Sequence, residues 1–259
     1  MKLVTPVSHL FQDVTYSKMI ESHSDSLEAR ERTATLNFAN TTHYHIDFDL
    51  NLGLNEEEKD FLIEHVKHRE EITTLTFQAA RDCHKSKISD GMYLIASTII
   101  ELDEQVQNTK KSLKEIRNIV GSDRNIGIEN NNYFPTGAYD ICTSLEYLLT
   151  VLEETDLHLL LDTAHAKVTS VNKDCSFEIY VQNLLETGRC KQIHICEHSV
   201  VKKNGKLLAR DSHEIPSFTT TAETIELCKK YEIPCITVEY YKDAQILTEY
   251  LKYIKSLTK

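Results

Sequence analysis

A chain of 259 residues with 41% hydrophobic and 27% charged residues has the length of one large α/β domain and too balanced a composition to stay disordered. A formal charge of −11 opposes attraction to nucleic-acid phosphates, and no apolar run approaches the ~18 residues of a membrane span. The opening MKLVTPVSHL lacks the apolar segment of a secretory signal, so a cytoplasmic protein without a membrane anchor is expected.

KLVTPV (2–7) reads as a first strand, TATLNFA (33–39) as a candidate second, and HYHIDFDLNL (43–52) as an alternating third. The gap between the last two is too short for a helix, which predicts irregularity in the first two β/α units. From Glu71 the pattern becomes regular. ITTLTF (72–77) is strand-like, and 103–120 follows with Val106, Leu113, Ile116 and Val120 on one helical face. NIGIEN (125–130) precedes a predicted helix over 138–155 that aligns Ile141, Leu145, Leu148, Leu149 and Leu152. LHLLLD (157–162), KQIHIC (191–196) and PCITVE (234–239) are further strands, with helices predicted over 219–231 and 243–257. Such alternation predicts a parallel sheet covered by helices, here a single (β/α)8 TIM barrel over 1–259. Neither G-x-G-x-x-G nor G-x-x-x-x-G-K-[ST] occurs, so an open nucleotide-binding sheet lacks its fingerprint.

The seven cysteines include no C-x-x-C pair, and buried thiols are expected rather than a cysteine zinc site. The chemistry-bearing residues are acids and histidines. Glu129, Asp162, His194 and Glu239 fall at or near the C-terminal ends of predicted strands, the face on which barrels build active sites. Asp162 and His165 form D-x-x-H, Asp211 and His213 form D-x-H, and His45, His84 and His198 lie in HIDFDLNLG, RDCH and IHICEH. Any one of these is ordinary alone, and Asp162 could simply cap the next helix. The order expected along successive strand ends is informative: acid, acid with His, His, acid with His, acid. Imidazole and carboxylate suit Zn, Mn and Fe alike.

IEN, LLLDTAH, IHI, RDSHEI and ITVEYY together resemble the xylose-isomerase-like barrel superfamily, which includes endonuclease IV and many sugar isomerases and epimerases. Within it the chain is most similar to the multinuclear iron enzymes that contain the methanobactin-biosynthesis oxidase and related peptide-modifying proteins. Their E-N, L-L-L-D-x-x-N, H-L-x-G-H, D-T-H and P-T-L-I-E-W-D segments are matched by ENN, LLLDTAH, HICEH, DSH and PCITVEYYKD. Three departures stand out: His165 replaces an Asn, VEYY lacks a Trp, and Gln78 stands where endonuclease IV has a metal His. His84 is the candidate to replace that lost ligand.

The resemblance implies two or three divalent ions, iron favoured and zinc or manganese possible. Glu129 would bridge two of them. Asp162, His194 and Glu239 would complete one ion and His45 with His84 another, leaving His165, Asp211 and His213 for a third or for substrate. Glu129, Glu239 and His198 are the expected catalytic residues, with Asn130, Asn131 and Glu197 as supports. The implied activity is oxidative modification of a peptide or a small thiol-containing substrate, the peptide brought by a protein partner. Competing readings are a one-metal sugar isomerase or epimerase, a three-zinc abasic-site endonuclease, and a non-catalytic binding module with a structural metal.

Overall fold

A computed structural model describes residues 1–203 and 206–258. Eight parallel strands close into a barrel: β1 (Lys2–Pro6), β2 (Ser26–Arg30), β3 (Thr41–Asp49), β4 (Thr74–Gln78), β7 (Asn125–Glu129), β8 (His158–Asp162), β9 (Cys190–Ile195) and β12 (Cys235–Val238). β1 pairs with both β2 and β12, which shuts the sheet. Two antiparallel hairpins interrupt the alternation: β5 (Ser86–Ser89) with β6 (Met92–Ile95), and β10 (Glu197–Lys203) with β11 (Lys206–Glu214).

The side-chain period of two divides each strand between two environments. Leu27 and Ala29, Tyr44 and Ile46, Leu75 and Phe77, Ile126 and Ile128, Leu159 and Leu161, Ile193 and Ile195, and Ile236 and Val238 pack in the apolar layer between sheet and helices. Truncating one of the larger of these to Ala would cost about 2–5 kcal/mol. The alternate positions are largely polar: Glu28, His45, Thr76, Glu129, Asp162, Gln192, His194 and Thr237 are all buried. They hydrogen-bond to one another, as in Gln192 Nε2 to Thr237 Oγ1 at 2.8 Å and His45 Nδ1 with Thr76 Oγ1 at 2.9 Å.

The helices are α1 (Val14–Glu21), α2 (Glu56–His65), α3 (Leu102–Val120), α4 (Leu145–Glu154), α5 (Thr163–Lys173), α6 (Phe177–Glu186), α7 (Phe218–Lys230) and α8 (Ala244–Leu257). Most start where a short polar side chain satisfies first-turn N–H groups: Asp13, Asn55, Ser144, Asp162, Ser176, Ser217 and Asp243. Among the described residues no helix is long and apolar enough to cross a membrane.

Three expectations are corrected. The second strand is SLEAR at Ser26–Arg30, not TATLNFA; there a 3-10 turn ends at Thr33, and Leu36 and Phe38 pack sideways against the core. The early irregularity itself is present, because β2 passes to β3 without an α-helix. The helix expected over 138–155 begins only at Leu145. Upstream, the buried Asp82 carboxylate accepts the N–H groups of Ile141 and Cys142 at 2.8 and 2.7 Å, and Gly137 adopts φ 81°, so this stretch is held as a loop. Asp211 and His213 lie on the return arm of a hairpin rather than after a barrel strand.

Candidate metal centre

At the C-terminal mouth eight of the expected residues meet in a continuous cluster. Glu129 is its hub. Its Oε2 lies 3.5 Å from His45 Nε2, and its Oε1 lies 3.3 Å from His194 Nδ1 and 3.8 Å from His165 Nδ1. His194 Nδ1 is also 3.3 Å from Glu239 Oε1 and 4.0 Å from Asp162 Oδ2. The circuit closes through His213 Nε2, 3.6 Å from Glu239 Oε2 and 3.1 Å from Asp211 Oδ2, and through His165 Nε2, 3.8 Å from Asp211 Oδ2.

Local folding aims each of these groups. Asp162 ends β8 and caps α5, its Oδ1 accepting the His165 N–H at 2.7 Å while Oδ2 is left to the cluster. His165 follows on the first turn of α5, and its Nδ1 bonds the Asn130 carbonyl at 2.9 Å, which turns Nε2 toward Asp211. Asn130 also exchanges two hydrogen bonds with the Asp162 backbone, at 3.0 and 2.8 Å, locking the ends of β7 and β8 together. Asn131 donates to Gln78 Oε1 at 3.2 Å, and Gln78 Nε2 contacts His45 Nε2 at 3.2 Å and Asp47 Oδ1 at 3.1 Å. The Gln at 78 therefore stands beside His45 and steadies it.

The electrostatics are those of a site short of positive charge. Burial drives the Asp162 carboxyl up to about 7, and Glu239, Glu129 and Asp211 add repulsion that His165 only partly offsets. Burial opposes a charge on His194, yet Glu239 and Glu28 hold it protonated well above the usual imidazole range. His45 is kept below that range by burial, against the pull of Glu129. Glu129 Oε2 and His194 Nδ1 are buried without a hydrogen-bond partner. Among the described residues, three sets of ligand atoms each lie within 4.8 Å of one another: Glu28, His194, Glu239; Glu129, Asp162, His194; and Asp162, Cys196, Glu239. Converging acceptors with orphaned atoms among them fit a divalent cation.

Two expected residues do not join. His84 is exposed and lines a neighbouring cleft with Asn55, Asn108 and Lys111, because the bend after Asp82 carries it outward. His198 starts the β10 arm, where its Nδ1 bonds Glu197 Oε1 at 2.8 Å, and it does not line the mouth. Glu197 is thereby engaged with His198 rather than supporting a cluster residue. Several participants escaped the sequence reading: Glu28 and Arg30 on β2, Gln192 on β9, Cys196, and Tyr241, whose hydroxyl donates to Glu239 Oε1 at 3.2 Å. The available signal was L-E-A-R itself, two opposite charges spaced by two between apolar partners, the pattern of a strand with a polar inward face.

The cluster forms the floor of a cleft of about 950 Å³. Arg32, Arg81, Tyr93, Phe134 and Tyr139 stand on its walls. The two hairpins are tied together beside it by Arg210, which donates to the Asp90 carbonyl and carboxylate at 2.8 Å each.

A family model described as RiPP precursor modification enzyme MbnB/TglH/ChrH matches residues 98–256. A UPF0276 protein of Shewanella amazonensis is 30% identical over 97 residues, covering 38% of this chain and only 34% of that protein's length. Among solved structures, 3-keto-D-glucoside 4-epimerase from E. coli is similar over 99% of both chains at 12% identity and TM-score 0.63. Endonuclease IV from Thermus thermophilus is similar over 100% of this chain and 99% of its own at 10% identity and TM-score 0.62. These two likenesses concern the fold.

Proposed function

The chain belongs to the RiPP precursor modification enzyme family MbnB/TglH/ChrH, and from that premise we propose that it is a metal-dependent enzyme, with two or three iron ions, that oxidatively modifies a peptide or a small thiol-containing substrate. The observation that carries the reading is the buried circuit around Glu129, in which imidazoles and carboxylates from five barrel strands or their ends and one hairpin face one another with orphaned atoms between them. His45, Glu129, Asp162, His165, His194, Asp211, His213 and Glu239 would hold the ions. Bound iron would supply Lewis-acid and one-electron redox chemistry.

The remaining work falls to the chain itself. A cleft of about 950 Å³ suits a peptide side chain with its flanking backbone. Arg32 and Arg81 offer positive charge to a substrate carboxylate, and Tyr93, Phe134 and Tyr139 offer apolar walls. His213 is the most exposed imidazole of the circuit, its side chain 40% exposed. There its Nε2 either completes an ion's ligand set or takes a proton from the substrate. The reading includes delivery of the peptide by a protein partner.

A sugar epimerase would use Glu129 and Glu239 as proton shuttles. Burial would raise the Glu239 carboxyl, but Arg30 and His194 hold it well below the usual range, which makes it a weak base. The deciding experiment is elemental analysis of anaerobically purified protein, followed by aerobic incubation with cysteine-containing peptides and mass spectrometry. Iron at two or three per chain and an oxidised peptide are expected. Colourless protein holding only zinc and leaving every peptide unchanged would sink the reading.

A further inference from the structure

One of the three ligand sets already contains a cation. Glu28 and Arg30 are both on β2, two residues apart, and share its inward face. The Arg30 guanidinium lies 2.6 Å from Glu28 Oε1 through Nη2, and the same nitrogen donates to Glu239 Oε1. Glu28 and Glu239 are, with His194, the set whose ligand atoms lie within 4.8 Å of one another. The remaining oxygen of Glu28 is held by Gln192 Nε2 at 2.6 Å and faces His194 Nε2 at 3.3 Å. A guanidinium is charged at every accessible pH and sheds water more readily than an ammonium, so it can act as a fixed positive charge between two buried carboxylates.

Charge balance leads to the same place. Glu28, Glu129, Asp162, Asp211 and Glu239 bring five carboxylates with side chains at most 9% exposed. Once ions are bound, their ligands have released their protons, the histidines are neutral, and Arg30 reduces five negative charges to four, which two divalent ions match. Without it the same pocket would be left one charge short, and uncompensated buried charge is costly.

We propose that Arg30 is a built-in cation occupying the Glu28–His194–Glu239 cluster, so that this cluster takes no metal ion and the centre is confined to the ions held around Glu129, Asp162 and Asp211. The inference rests on the metal-centre reading above and limits its stoichiometry. It also gives Arg30, which lines the cleft, a task other than substrate binding: Nη2 is committed to two carboxylates of the centre.

The test measures metal per chain. Wild type, R30A, R30K and the double variant E28Q/R30A are stripped, reloaded anaerobically with excess Fe(II), desalted and analysed for iron, with circular dichroism as the check on folding. R30A should hold one more ion per chain than wild type. R30K, which keeps a positive charge, should match wild type, and E28Q/R30A should fall back to the wild-type number. A folded R30A with an unchanged or smaller number overturns the proposal; an Arg30 that only anchored substrate would give that result and a raised KM. Should R30A not fold, anomalous diffraction from metal-loaded wild-type crystals decides: an ion within bonding distance of both Glu28 and Glu239 overturns the proposal, and its absence beside occupied Glu129 supports it. A wild type that takes up no ion refutes the metal-centre reading itself, whereas a loaded wild type with an unaltered R30A refutes only the role of Arg30.

Discussion

Asp162 positions the residue three places after it while facing the cluster: Oδ1 accepts the His165 backbone N–H at 2.7 Å, and Oδ2 lies 4.0 Å from His194 Nδ1. One carboxylate thus serves helix capping and the candidate metal centre. Substitution should separate the roles. Asn caps helices as well as Asp does, so D162N should retain the start of α5 yet lose metal, whereas D162A should lose metal and about 1 kcal/mol of helix capping. Metal content by elemental analysis and thermal melting of the stripped proteins measure the two effects. Equal metal loading in D162N and wild type would remove Asp162 from the centre.

His45 and His84 make a second contrast. His45 Nε2 is 3.5 Å from Glu129 Oε2, and its other nitrogen is fixed by Thr76. His84 is exposed on a different cleft. H45A should lose metal affinity by at least about 100-fold, since even the outer partners of metal ligands are worth about 10–100-fold. H84A should bind as wild type does. Isothermal titration with Mn(II) distinguishes them, and a strong loss in H84A would contradict the geometry.

At the opposite end of the barrel, His158 fills the space that Gly127 leaves open. A Cβ on Gly127 would stand 2.3 Å from His158 Nε2. G127A should therefore destabilise the fold by about 1–3 kcal/mol through overpacking. The cost should shrink in an H158A background, a coupling that a double-mutant cycle in urea can measure.

The same imidazole makes stability depend on pH. Burial, then the neighbouring charges of His43, Lys191 and Arg189, lower His158 to about 4, below the usual value of about 6.5 for an unfolded chain. A depressed base favours the folded state above the unfolded value, and that advantage is lost as the pH falls toward 4 because the unfolded chain takes up the proton first. Between pH 7 and pH 5 the contribution of His158 should drop by about 2 kcal/mol. Denaturant melts of wild type and H158N at both pH values give the comparison; equal slopes with pH would refute the assignment.

Cysteine reactivity offers a further check. Cys175 is exposed and the other six cysteines are buried. Cys196 lies with Sγ 3.5 Å from Asp211 Oδ1, and burial together with Asp162 and Glu239 pushes its thiol well above the usual range. Maleimide should label Cys175 rapidly and Cys196 only after unfolding, as peptide mapping can follow. Rapid labelling of Cys196 in the folded state would show a more open centre than the one described.

Much of this protein was legible because its strongest signals are local. Alternating strands and amphipathic helices announce a barrel through periodicities that need no distant partner, and acids or histidines at the ends of NIGIE, HLLLD and CKQIHI follow from the same count of residues. The hairpin that carries Asp211 and His213 was less visible, since a motif on a return arm looks in sequence like one after a barrel strand.

What the chain alone fixed, then, was the alternation of elements and the chemical types at their ends, because backbone period and side-chain polarity act over a few residues. Closure of the barrel decided the rest. It brings Arg30 to Glu239, 209 positions away, turns SLEAR inward despite its charges, and leaves His84 outside. Those outcomes depend on which faces meet across the lumen, and a buried charge is tolerated only once its distant counter-charge has arrived.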